Sequence, residues 1–101
     1  MCAVLFLTAF DKPTLKHLMK ELYPKSADKW EDIGIELEVD DGLLVQIRTD
    51  YHGDSKKCLR EILRIWLKRV DPPPSWDTIA NVIDDIGDEE LATQLRSKYC
   101  K

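Results

Sequence analysis

The sequence predicts an all-α protein, a compact antiparallel bundle of six short helices. Apolar residues cluster at steps of three and four, which on a helix of about 3.6 residues per turn gathers them on one face. Turn-forming residues interrupt these stretches every ten to seventeen residues or so, the spacing of ordinary globular helices. Glycine is scarce, at four residues. The one segment that fits an extended chain is Ala3 to Leu7; elsewhere no strand pattern emerges.

Asp11 is placed to cap the first helix, with Pro13 in its first turn. Leu15, Leu18, Met19 and Leu22 give this helix a buried side, and Tyr23 and Pro24 end it. Ser26 or Asp28 begins the second, whose buried face is Trp30, Ile33 and Leu37, with Gly34 set where a partner helix can approach closely. Asp40 and Asp41 cap a short third helix carrying Leu43, Leu44 and Ile47, which the stretch from Asp50 through His52 to Gly53 breaks. The fourth is the longest, and its stripe is Leu59, Ile62, Leu63, Trp66, Leu67 and Val70. Asp71 and the prolines Pro72, Pro73 and Pro74 end it, because proline lacks the amide donor that a helix interior uses. Ser75 caps the fifth, with Trp76, Ile79, Ala80, Val82, Ile83 and Ile86 at helical period. Gly87 supplies a left-handed stop, and Asp88 opens a sixth helix with Leu91, Ala92 and Leu95.

At 101 residues the chain is one domain, large enough to bury a core without disulfides or a metal. Its 44% apolar and 34% charged residues are the balance of a globular protein with a heavily charged surface. The net charge of -4 argues against a phosphate-backbone binder, since that affinity comes from lysine and arginine neutralising phosphates. Cys2, Cys58 and Cys100 are odd in number and far apart, without metal or redox spacing, and read as reduced thiols of an intracellular, cytoplasmic protein. Residues 1–12 form an apolar extension, beginning MCAVLFLTAF, too short to span a bilayer and without the basic start of a signal sequence. Residues 13–101 form the domain.

No residue pattern points to catalysis or to a cofactor. Trp30, Trp66 and Trp76 each sit on an apolar stripe and read as core. Cys58 reads as a small core residue at the start of the fourth helix. A pair of Cys58 with His52 lacks a third group and an oxyanion feature. His17 and His52 have no partner at metal-binding spacing and read as solvent-facing. The glycines form no phosphate cradle.

The charges are sorted by helix. The second and third carry Asp28, Glu31, Asp32, Glu36, Glu38, Asp40 and Asp41, against little more than Lys29 and Arg48. The fourth carries Lys56, Lys57, Arg60, Arg64, Lys68 and Arg69 against Asp54 and Glu61, and the first adds Lys16 and Lys20. The turn into the sixth is acidic again, at Asp84, Asp85, Asp88, Glu89 and Glu90. Part of this sorting matches the helix dipole, which favours acids at the start of a helix and bases at its end. The rest leaves faces of opposite sign that two copies can pair head to tail, giving a ring or an open filament. Nucleic-acid binding by the basic fourth helix is the rival, and its acidic neighbours argue against it.

Four segments in this order carry a resemblance: W-x-x-I-G-x-x-L at Trp30 to Leu37; Cys58-Leu59 with I-L-x-x-W-L at Ile62 to Leu67; P-S-W-x-x-I at Pro74 to Ile79; and I-G-x-x-x-L-A at Ile86 to Ala92. Together they resemble the death domain of the death-fold superfamily, over about Pro13 to Tyr99. The apolar first ten residues have no counterpart in that pattern. The resemblance implies a six-helix Greek-key bundle that catalyses nothing. It implies binding to itself and to other death-fold domains by asymmetric contacts, in apoptotic or innate-immune signalling.

In that scheme one contact would set Lys16, Lys20, Lys56, Lys57, Arg60 and Arg64 against Glu31, Asp32, Glu36, Asp40 and Asp41. A second would set Lys68 and Arg69 against Asp88, Glu89 and Glu90. A third would use the third helix and nearby loops, where Arg48, Asp50, Tyr51 and His52 are exposed candidates. The alternative is a monomeric or capping adaptor that binds one death-fold partner without propagating.

Overall fold

Thr14 starts the first helix: its Oγ1 accepts the His17 N–H at 3.3 Å, and α1 runs over Leu15–Ser26. The computed structural model describes residues 13–70 and 72–99, so the expected cap Asp11, the apolar residues 1–12 and the Ala3 to Leu7 stretch lie outside it, as do Asp71 and the chain's last two residues. Among the described residues every regular element is helical. Pro24 does not end α1 but sits inside its last turns. It gives up one backbone hydrogen bond there, and in exchange the i, i+4 line of Leu18, Leu22 and Ser26 stays buried to the helix end.

A single 3-10 turn, Ala27–Lys29, leads into α2, Trp30–Glu36. Gly34 lies where a methyl group would come within 2.7 Å of Leu44 and 3.6 Å of Ile62, so the close helix approach expected there is present. The end of α2 is wound back by Glu38 N–H to Ile35 O and Val39 N–H to Gly34 O, with Glu38 at a φ of +63°. That left-handed conformation costs a residue with a Cβ about 1 kcal/mol or more. Asp40 then caps α3, Asp41–Asp50, its carboxylate accepting the Gly42 N–H at 2.9 Å.

Asp54 caps α4, Ser55–Leu67, through the Lys57 N–H. This helix buries Cys58, Leu59, Ile62, Leu63 and Trp66, a stripe wide enough to meet α1 on one flank and α2, α3 and the 3-10 turn on the others. It stops before the prolines, so Val70, expected on the stripe, lies beyond the last turn and is 83% exposed. Leu43 is a second correction: it is 44% exposed because α3 turns only Leu44 and Ile47 inward.

Ser75 caps α5, Trp76–Asp85, by accepting the Thr78 N–H at 3.2 Å. Gly87, at a φ of +103°, provides the stop a β-carbon would strain. Asp88 then accepts the Leu91 N–H at 3.1 Å and opens α6, Glu89–Tyr99. The α5 and α6 helices pack along their lengths, and α5 also meets α2. The core closes around Leu18, Leu22, Ile33, Leu59, Ile62, Leu63, Ile79, Ile83, Leu91 and Leu95, all shut off from solvent or nearly so.

Among the described residues one core group is left unsatisfied: the Ser26 hydroxyl is buried without a hydrogen-bond partner there. A buried orphan hydroxyl carries a desolvation penalty that nothing returns. Ser26→Ala is therefore expected to leave stability unchanged or raise it by up to about 1 kcal/mol in urea denaturation. A loss of that size would mean the hydroxyl has a partner.

Candidate interaction faces

Two faces gather most of the residues singled out from the sequence. On the first, Lys16 and Lys20 of α1 and Lys56 and Arg60 of α4 are all exposed, on two helices that pack against each other. The helices are joined at this face by Lys56, whose Nζ lies 5.1 Å from the centre of the Tyr23 ring. Lys20 and Tyr23 are three residues apart and Lys56 and Arg60 four, so each pair shares a helix surface. Lys57 and Arg64 are exposed as well, three residues before and four after Arg60 on α4, and Arg64 donates to Glu61 at 3.1 Å.

On the second face Glu31 of α2 pairs with Arg48 of α3. Asp32 and Glu36 of α2 and Asp40 and Asp41 at the start of α3 are exposed as well, although Asp40 also caps α3. Arg48, expected in a separate contact, thus belongs to the acidic face and offsets part of its charge. Tyr51 is half-buried against the core, with its hydroxyl 3.5 Å from Glu61, so it packs more than it projects. His17 and His52 are exposed, as expected.

The second expected contact changes more. Lys68 is exposed at the end of α4 and Glu89 and Glu90 at the start of α6, but Asp88 is committed to its cap. Arg69 is committed too: its guanidinium donates to Leu37 O at 2.9 Å and to Glu38 O at 3.2 Å. It thereby satisfies carbonyls at the end of α2 that the helix leaves free. The backbone strain at Glu38 and this two-pronged bond occupy the same corner.

The exposed apolar residues were not legible as part of either face. Tyr23 is 42% exposed on the basic face, and Ile35 and Val45 are 53% and 59% exposed on the acidic one. Ile35 stands one turn beyond Glu31, and Val45 nearly one turn before Arg48. The ion pair between those helices therefore places both apolar residues on one surface.

The Cys58 thiol is wholly buried, 3.9 Å from the Ile47 carbonyl. Burial pushes its pKa up and the nearby Asp54 charge adds to this, against a smaller opposite effect of Arg48. An activated nucleophile needs the reverse. Among the described residues no group of three or more histidine, cysteine, aspartate or glutamate side chains is placed to hold a metal, and no helix is long and apolar enough to cross a membrane.

Away from both faces, the end of α6 is latched to α1. Tyr99 stacks on Trp76 with ring centres 3.8 Å apart, and its O–H donates to Glu21 at 2.8 Å while Lys98 donates at 3.3 Å. Burial pushes the Glu21 carboxyl up, but the bonds from Tyr99 and Lys98 and the charges of Lys98 and Lys20 outweigh it and hold it below its ordinary value. Burial, then the bond to Glu21 and its charge, push Tyr99 up to about 12.

A depressed carboxylate stabilises the fold above its unfolded pKa and loses that as pH falls through the folded one; a raised phenol stabilises it below about 10 and loses that as pH approaches 12. Stability is thus expected to fall at both ends of the range. Tyr99→Phe is expected to keep the stack and flatten the alkaline arm of thermal melts taken from neutral pH to about 11. An alkaline arm unchanged in Tyr99→Phe would place its origin elsewhere.

No protein-family model, no curated protein and no solved structure matches the chain.

Proposed function

We propose that the chain is a death domain: a six-helix Greek-key module that binds copies of itself and other death-fold domains in cytoplasmic signal transduction. Each copy offers its α1–α4 face to the α2–α3 face of the next, and the assembly grows head to tail into a helical filament or closes into a ring. What supports this reading is the separation of charge on the folded surface. Lys16, Lys20, Lys56 and Arg60 lie on one pair of helices and Asp32, Glu36 and Asp41 on another, and none of these seven side chains is drawn into an ion pair among the described residues. The order of the four tryptophan and glycine segments supports the family. Weak single contacts become a stable assembly once several copies are held together, because effective concentration replaces diffusion.

Light scattering of the purified chain, over a range of concentrations at low and high salt, tests this. Particles well above the monomer mass of 11.7 kDa that grow with concentration and shrink with salt are expected. A strict monomer under every condition would overturn self-assembly. It would favour the second reading, a capping adaptor for one death-fold partner, which the internal engagement of Arg69 already favours by removing half of the basic side of the second contact.

A further inference from the structure

We infer that the two faces carry apolar centres as well as charge, and that Tyr23 of one copy seats on Ile35 and Val45 of a second copy of this chain. The inference rests on the head-to-tail reading above and names what holds that contact once its charges are screened.

Single exposed apolar residues are ordinary on a protein surface. These three are distinguished by where they stand. Tyr23 is exposed beside Lys56, one turn from Lys20, on the pair of helices that also exposes Arg60, and Ile35 and Val45 are exposed on the pair of helices that exposes Asp32, Glu36 and Asp41, where Arg48 is taken up by Glu31. An aromatic anchor at the centre and charge at the rim is the plan of an energetic hot spot, in which the rim excludes water and the centre carries the affinity. The rims are of opposite sign, which selects one face against the other and not each against itself.

Both centres are also held in place before they meet anything. The ammonium of Lys56 lies 5.1 Å from the centre of the Tyr23 ring, an attraction that favours this placement of the ring. On the other side the Glu31–Arg48 pair ties α2 to α3, and the missing side chain at Gly34 lets Leu44 lie close against α2, so Ile35 and Val45 keep a fixed relation. Ordering that is complete in the free protein is not charged against binding. Charge on the rim then governs how fast and in which orientation copies meet, and the centre governs how long they stay.

The test is light scattering of the full chain at low salt and at about 1 M sodium chloride, where the screening length falls to about 3 Å. The variants are Tyr23→Ser, Tyr23→Phe, Val45→Lys, the pair Ile35→Ser with Val45→Ser, and Arg60→Glu, each checked for helical content by circular dichroism. Wild type is expected to retain weak self-association at high salt, and Tyr23→Phe to retain it too. Tyr23→Ser, Val45→Lys and the serine pair are expected to lose it, and to weaken assembly at low salt about 30-fold, the effect of one hot-spot residue.

If Tyr23→Ser and Val45→Lys assemble like wild type while Arg60→Glu is monomeric, the contact is charge alone: this inference falls and the head-to-tail reading stands. If wild type is monomeric at every concentration and salt, both fall.

Discussion

Trp76→Ala is expected to lower the unfolding free energy by about 3–5 kcal/mol. The indole is 2% exposed and opens α5 one residue after its cap. On its far side it is stacked on Tyr99, with the ring planes 8° apart. Removing it leaves a void between α5 and α6 and takes the support from the Tyr99 hydroxyl that holds Glu21. Three elements loosen together: the start of α5, the end of α6 and the latch to α1. A domain of this size has about 5–15 kcal/mol in total, so the variant is expected to melt far below the wild type. Urea denaturation followed by circular dichroism measures the loss, with Trp76→Phe as the conservative companion. A loss below about 1 kcal/mol would mean that the ring is not packed as described.

Much of this architecture was legible because it is written locally. Asp40, Asp54, Ser75 and Asp88 sit directly before apolar-periodic stretches, and for that reason Asp40 and Ser75 are legible as caps and Asp88 as a helix start; the side chains of all three accept helix-start N–H groups. Gly34 was legible as a close approach, and Trp30, Trp66 and Trp76 as core. Pro24 was misread because a proline's cost depends on which turn it falls in, and near the end of α1 the burial of Leu22 and Ala27 on either side of it offsets one missing bond. Leu43 was misread because a period of three and four does not say where the stripe's edge falls, and Val70 because it does not say where the helix stops.

The candidate faces were legible as charge and illegible as contacts. Arg69 was read as a free cation because its partners are backbone carbonyls more than thirty residues away in sequence, and no side-chain pattern announces a carbonyl. The Glu31–Arg48 pair depends on how α2 lies against α3, which spacing alone leaves open. Tyr23 was read as the residue that ends α1 and so was never weighed as a surface. Once the helix continues past Pro24, Tyr23 becomes a side chain on the basic face, one turn from Lys20 and under Lys56.

Mixing two variants, each unable to assemble alone, is expected to give a dimer that goes no further. Arg60→Glu damages only the α1–α4 face and Asp32→Lys only the α2–α3 face. Both positions are exposed, so neither change touches the core. Setting like charges against each other costs several kcal/mol, so each variant alone is expected to assemble at least about 100-fold more weakly than wild type. In the mixture the intact α2–α3 face of the first meets the intact α1–α4 face of the second, while the faces left over are the damaged ones. Light scattering should therefore read twice the mass of one chain, 11.7 kDa, with a proportion of dimer that falls as salt rises. An adaptor that binds one unlike partner gives no dimer in the mixture. Particles larger than a dimer would mean either that the contact lies on other surfaces or that the two reversed charges, opposite in sign, pair with each other; mixing Arg60→Glu with Asp32→Ala removes the second possibility. The dimer is expected because the two contacts of an asymmetric pair can be destroyed separately, whereas a two-fold contact uses the same patch on both copies and one substitution damages it twice.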